Sequence, residues 1–134
     1  PWGLLHAIDV RSGQLRWEIP LGGLNDLVKG LPTPTSWGSA SLGGPLIAGG
    51  LVFIAGTLDS RIRAFDLATG ELLWSDKLPA GGQATPLTYR ARDGGRQYVV
   101  INAGGHSDLQ TRLGDYVVAY ALPVDSREVV RGRE

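Results

Sequence analysis

Few side chains in this sequence have both the chemistry and the setting for a reactive role. The phrase "AGGH" places His106 behind Gly104 and Gly105, where two glycines let the backbone pass close to another group. The same glycines also fit an ordinary turn, and a lone loop histidine then has no role. Asp59, behind "AGTL", brings a carboxylate to a strand-to-strand turn; it reads either as a site residue or as an Asx turn helped by Ser60. Asp115, in "GDY", is placed to brace the His106 loop by accepting backbone hydrogen bonds. His6 falls on an expected strand and reads as structural.

Several other chemistries are excluded by residue type. The sequence has no cysteine and only two histidines, so thiol nucleophiles, disulfides and the usual zinc ligand sets are absent. That absence leaves the redox compartment open. There is no G-x-x-x-x-G-K-[ST] phosphate loop and no G-x-S-x-G elbow. Thirteen basic and 13 acidic residues are interspersed to a formal charge of zero, which gives no footprint for nucleic acid.

The elements that would position these residues are strands. Twenty glycines and eight prolines punctuate short apolar runs in a chain of 134 residues that is 43% hydrophobic, a pattern of β-structure with frequent turns. Strands are expected near 43–48, 51–57, 62–67, 72–76, 85–90, 97–103 and 116–121, with two more within 1–20. "PLIAGGLVFIAG" reads as a hairpin turning at Gly49 and Gly50. One short helix is expected from Ser107 to Leu113, capped by Ser107 and ended by Gly114. The uncharged run from Leu42 to Leu58 is interrupted by glycines and a proline, so it reads as buried strands and no membrane span is expected. "PWGLLHAIDV" has none of the marks of a signal peptide, and the chain is expected to be a piece of something longer.

A repeat organises the strands. "AIDVRSGQLRW" and "AFDLATGELLW" align Ala7 with Ala64, Asp9 with Asp66, Gly13 with Gly70 and Trp17 with Trp74, each pair 57 positions apart. A third, incomplete copy starts at Ala119. Units of this length with about four short strands indicate a β-propeller. Residues 1–20 would end one blade, 43–76 would form a whole blade, and 85–122 would form a last blade lacking a strand; 123–134 would be a charged tail. Within the phrase, Asp and Gly shape a turn, and the indole is expected to wedge between neighbouring sheets with its N–H on a backbone carbonyl. Sheets too few to close a ring leave open edges through which copies can associate.

The phrase A-x-D-x-x-[ST]-G-x-x-x-W resembles the tryptophan-docking motif of the pyrroloquinoline quinone (PQQ) dehydrogenases, which are eight-bladed propellers. "LGGPLIAGGLVFIAGTLDSRIRAFD", "LPAGGQATPLTY" and "QYVVINAGGHSDLQTRLGDYVVAYALP" are similar to the carboxy-terminal region of membrane-bound quinoprotein glucose dehydrogenases. The resemblance implies PQQ and a divalent metal, Ca²⁺ or Mg²⁺, a sugar or polyol substrate, ubiquinone as electron acceptor, and an inner-membrane enzyme whose propeller faces the periplasm. It implies that the catalytic aspartate and the metal ligands lie upstream of Pro1, so that these residues alone are inactive. It implies that His106, Gly105 and Asp59 lie near the PQQ and substrate pocket, while Ala7, Gly13, Trp17, Ala64, Gly70 and Trp74 dock blades. Quinate and shikimate dehydrogenases share such terminal blades, and the glucose reading is not separated from them. A non-catalytic envelope scaffold with PQQ-like repeats is the rival from another class; it needs no "AGGH" loop.

Overall fold

The computed structural model describes residues 1–24 and 34–123. The expected tail at 123–134 lies outside the described residues from 124 onward. The strands are β1 (Leu4–Ile8), β2 (Leu15–Pro20), β3 (Leu46–Ala48), β4 (Leu51–Ile54), β5 (Arg61–Asp66), β6 (Leu72–Lys77), β7 (Leu87–Arg90), β8 (Gln97–Ala103) and β9 (Tyr116–Tyr120). They form three antiparallel sheets, β1-β2, β3-β4-β5-β6 and β7-β8-β9, in which every strand pairs with its neighbour in sequence. None of these sheets closes on itself, so the fold is all-β, a partial β-propeller open at its edges.

Local chemistry accounts for the turns. Gly49 and Gly50 take φ of 59° and 76° between β3 and β4, the positive values that a two-residue hairpin of the I′ kind requires. β3, β4 and β7 are shorter than the apolar runs suggest. The chain leaves the ladder at 43–45, 55–57 and 85–86 to make contacts between sheets. There, the Gly44 N–H donates to Thr85 Oγ1 at 3.1 Å, and an ideal Cβ on Gly43 would lie 3.1 Å from the Ala84 carbonyl oxygen.

The two docking phrases fold alike. Ala7 pairs with Trp17 across β1 and β2, Ala64 pairs with Trp74 across β5 and β6, and the ladder slips one position just after each alanine. Asp9 Oδ1 accepts the N–H groups of Arg11 and Ser12; Asp66 Oδ1 accepts those of Ala68 and Thr69. Gly13 and Gly70 complete the turns at φ of 70° and 75°. These bonds hold both carboxyl groups below their ordinary pKa, the Arg16 guanidinium being the largest influence on Asp9 and the Thr69 backbone N–H the largest on Asp66. Trp17 then crosses to the next sheet, where its Nε1–H donates to the Leu67 carbonyl at 3.0 Å. Trp74 meets the third sheet edge-on, its ring 4.9 Å from that of Tyr120, whose hydroxyl donates to Asp76 Oδ2 at 2.9 Å.

The middle sheet is covered on both faces. On one, Val52, Ile54 and Phe65 pack with Leu21, against Leu5, Trp17 and Ile19 of the first sheet. On the other, Ala55, Ile62, Leu78 and Ala80 pack with Ile101 and Ala103 of the third. Ile62 is fully buried, a burial that contributes roughly 1.5–3 kcal/mol.

The expected helix at Ser107–Leu113 does not form. The segment is a hydrogen-bonded turn in which the Gln110 N–H donates to the Ser107 carbonyl, and Gln110 itself has φ of 53°, a left-handed value that stops helix propagation.

Candidate functional site

Three connections between strands meet beside the core shared by the second and third sheets. The first joins β4 to β5 and contains Asp59. Residues 55–60 are all buried there, although connections usually lie in solvent. Asp59 is 7% exposed, and Arg63, four residues along on β5, forks onto it: Nη1 donates to Oδ1 at 3.2 Å and Nη2 donates to Oδ2. Thr57 Oγ1 donates to Asp59 Oδ1 at 2.6 Å and accepts from Arg63 Nη1 at 3.1 Å. Asp59 therefore clamps its own loop around Thr57, and its carboxylate is engaged on both oxygens. The Asx turn with Ser60 is not observed; Ser60 takes φ of 51° and gives its carbonyl to the Leu78 N–H at 2.8 Å.

The second connection, "AGGQ" at 80–83, leads from β6 to β7, and the third, "AGGH" at 103–106, follows β8. Ala80 and Ala103 sit in one core cluster, which brings the glycines behind them together. The Gly105 N–H donates to the Gly81 carbonyl at 2.8 Å, and the Gly81 N–H donates to the Arg112 carbonyl at 3.0 Å. A side chain would break this contact: a Cβ on Gly81 would lie 3.0 Å from Gly105 Cα, and one on Gly105, where φ is 71°, would lie 2.1 Å from the Arg112 carbonyl oxygen. The His106 N–H donates to Thr111 Oγ1 at 2.8 Å, and the Thr111 N–H returns to the His106 carbonyl at 3.2 Å. Thr111 and the Gly114 to Gly104 bond close the loop; the exposed Asp115 accepts no hydrogen bond from it among the described residues, contrary to expectation.

These connections hold the buried side-chain polar atoms that lack a partner among the described residues, His106 Nδ1 and Gln83 Oε1. Such atoms are costly unless something polar meets them. Gln83 Nε2 donates to the Thr57 carbonyl at 3.5 Å, so the "AGGQ" loop touches the Asp59 loop on one side and, through Gly81, the His106 loop on the other. Sequence reasoning passed over Gln83, Thr57 and Arg63; the repeated phrase Ala-Gly-Gly followed by a polar residue was the signal for the first.

Donor types decide what the site can hold. An amide oxygen takes a hydrogen-bond donor and an imidazole nitrogen takes either partner, which suits a polar organic group better than a metal ion. Among the described residues no group of three or more His, Cys, Asp or Glu is arranged to hold a metal ion. An open cleft of about 450 Å³ exists elsewhere, walled by Asp9, Arg16 and Leu67 of the blade clasp, with no orphaned group. His6 is occupied in a cross-strand pair with Glu18 at 3.0 Å, both side chains exposed.

Comparison with known proteins gives the family. Residues 1–99 match the family model "PQQ: Glucose/ethanol/alcohol dehydrogenase, beta-propeller domain". The chain is 46% identical to the quinoprotein glucose dehydrogenase of Escherichia coli K12 over 131 residues, covering 92% of this chain and 16% of that protein. It is 48% identical to a probable quinate dehydrogenase (quinone) of Xanthomonas campestris pv. juglandis, with 92% and 16% covered. It is also 48% identical to the glycerol dehydrogenase large subunit of Gluconobacter oxydans 621H, with 92% and 17% covered. Among solved structures, the quinohemoprotein alcohol dehydrogenase of Comamonas testosteroni superposes with a TM-score of 0.61 at 27% identity, over 90% of this chain and 16% of that one. The chain thus spans about a sixth of the length of these relatives, and with its docked sheets and its family match over residues 1–99 it belongs to the β-propeller family of the PQQ-dependent dehydrogenases.

Proposed function

We propose that this chain forms the part of a PQQ-dependent dehydrogenase that borders the cofactor and substrate, and that the enzyme oxidises a sugar or polyol hydroxyl, glucose to gluconolactone foremost. A quinate- or shikimate-type substrate is the runner-up, since the relatives named for glucose, quinate and glycerol are 46%, 48% and 48% identical to it. The observation that carries the reading is the pair of buried, unpartnered atoms, His106 Nδ1 and Gln83 Oε1, on glycine-built loops that lie against each other.

PQQ when bound supplies the two-electron acceptor. Residues of this chain then act by position. His106 sits at this border on a loop that Thr111 closes and that Gly81 holds against the "AGGQ" loop. Gly105 lets its loop lie against Gly81 and fixes the direction of that imidazole. Asp59, engaged by Arg63, supports the site from behind by holding Thr57. The described residues do not fit Ca²⁺ or Mg²⁺, and the acids that hold the metal and take the substrate proton belong to other parts of the enzyme. No helix among the described residues is long and apolar enough to cross a membrane. The placement in a bacterial inner membrane, with the propeller in the periplasm and ubiquinone as acceptor, rests on the kinship with the glucose dehydrogenases. The open edges of β1 and β9 offer unpaired backbone through which separate copies of this chain would associate.

The test is reconstitution of the full-length protein with PQQ and Ca²⁺ or Mg²⁺, assayed on glucose, quinate, shikimate and glycerol with a soluble ubiquinone analogue. His106→Ala is expected to weaken PQQ binding or raise the KM for the substrate. Unchanged values for both would remove His106 from the site, and no turnover by wild type on any of the four would overturn the assignment.

A further inference from the structure

Both hydrogen bonds of the Thr111 hydroxyl go to one residue. Oγ1 accepts the His106 N–H at 2.8 Å and donates to the His106 carbonyl at 3.4 Å, while the Thr111 N–H reaches the same carbonyl at 3.2 Å. In a regular antiparallel pair the two residues would exchange N–H···O=C bonds, which nearly any residue can make. Here the bond from His106 ends on a side chain, so the identity of residue 111 decides whether that N–H is met.

Backbone bonds would close the loop without the hydroxyl. The Gln110 N–H donates to the Ser107 carbonyl at 3.0 Å toward the tip, and the Gly114 N–H donates to the Gly104 carbonyl at 3.0 Å toward the root. What the hydroxyl adds is a fixed His106 peptide. Thr111 is itself held in place: it is buried, its χ1 is stiffened by β-branching, and a Cβ on Gly81 would lie 2.5 Å from its Oγ1 and 2.8 Å from its Cβ. The "AGGQ" loop therefore backs the hydroxyl directly. Gly81 also accepts the Gly105 N–H at 2.8 Å, so the backbone is tied on both sides of the Cα that carries the imidazole.

We propose that Thr111 is a positioning residue for this site: its hydroxyl sets the direction in which His106 leaves the backbone, and through His106 it sets the affinity for cofactor or substrate. This rests on the reading of His106 as a residue of the cofactor and substrate border.

Thr111→Val, which keeps the shape and loses the hydroxyl, tests this in the reconstituted full-length enzyme. Amide exchange at His106 should quicken, while Gly114, whose own bond is untouched, should keep its protection. The constant that His106→Ala raises, the calorimetric Kd for PQQ or the KM for the substrate, should rise about three- to tenfold, as for loss of one hydrogen bond. Thr111→Ser keeps the hydroxyl and should bring both readouts back close to wild type. In the His106→Ala background, Thr111→Val should change that constant less than about twofold, because the ring it aims is gone. Thr111→Ala carries the same expectations if the valine variant does not fold. Wild-type exchange at His106, or faster exchange with wild-type constants, would overturn the proposal and leave the hydroxyl a brace for the loop. A serine variant as impaired as the valine one would overturn it in favour of packing by the γ-methyl. Full additivity with His106→Ala would overturn it as well, by showing an effect that does not pass through the imidazole. If His106→Ala itself leaves both constants unchanged, the reading of the site falls, and the role of Thr111 with it.

Discussion

Trp17 lies flat on Gly70: an ideal Cβ on that glycine would sit 2.8 Å from Trp17 Cδ2 and 2.9 Å from Cε3. The repeated glycine is thus two things at once, a left-handed turn residue and the floor under the preceding blade's indole. Gly13, its counterpart, has φ of 70° but nothing within 4 Å of its Cβ position. Gly13→Ala should therefore cost only the backbone strain, about 1 kcal/mol. Gly70→Ala adds displacement of the indole and of its bond to the Leu67 carbonyl, and should cost roughly 2–3 kcal/mol. Thermal unfolding of the two variants checks the difference; equal losses would show that the indole does not need that floor.

The docking turns make a prediction about acid. Asp66 is held below its ordinary pKa of 3.8, first by the Thr69 backbone N–H, and Asp9 is likewise lowered, first by Arg16. A depressed folded-state pKa means that the unfolded chain binds the proton more tightly, so the stabilisation is complete above that ordinary value and fades as pH falls through the folded one. Asp66→Asn should lower the melting temperature by a constant amount near neutrality, and the gap from wild type should narrow below pH 3.8. Because the Asp9 and Arg16 side chains are 23% and 65% exposed, salt should reduce the part due to Arg16. A gap that widens in acid would reverse the sign.

How much of this was legible beforehand followed how local each signal was. Asp66, Gly70 and Trp74 announce a strand, a turn and a clasp from adjacent positions, and the structure repeats the turn at Asp9 and Gly13, while the indoles differ: Trp17 bonds the Leu67 carbonyl and Trp74 meets the Tyr120 ring with no carbonyl bond among the described residues. Asp59 was visible as a candidate but its partner was not, because nothing in "TLDSRIRAFD" says that Arg63 turns inward from a strand. The Ser107–Leu113 segment has the ends of a helix and fails at Gln110, whose left-handed backbone serves the bond from the Thr111 N–H to the His106 carbonyl. Gln83 was hidden in plain order: "AGGQ" and "AGGH" match, but only packing of Ala80 with Ala103 makes them neighbours.

Asp59 and Arg63 make the next prediction. Their side chains are 8% and 11% exposed in the pair, so removal of either leaves a charge facing little water. Arg63→Met should destabilise by about 3–5 kcal/mol, the cost of an uncompensated buried carboxylate, and should remove the bond that the Thr57 hydroxyl accepts while leaving the one it donates to Asp59. Replacing both, as in Asp59→Asn with Arg63→Met, should recover a large part of that loss, since the stranded charge is gone. Denaturant unfolding of the single and double variants forms the cycle; additive losses would mean that the two groups do not act as a pair.

The two glycines before His106 should differ sharply in tolerance. Gly104 is exposed, and a Cβ there would meet only the Gly114 carbonyl oxygen at 3.7 Å, so Gly104→Ala should change stability by less than about 0.5 kcal/mol. Gly105 has φ of 71° and room for no side chain against the Arg112 carbonyl. Gly105→Ala must push the loop outward, breaking the bond to the Gly81 carbonyl and turning the His106 ring with it, at roughly 1–3 kcal/mol. In the full-length enzyme the same substitution should weaken PQQ or substrate binding as much as His106→Ala does, because the imidazole is then present but misdirected. Combining the two should add little beyond either alone. Independent, additive losses in affinity would show that Gly105 acts on the ligand by itself rather than by aiming His106.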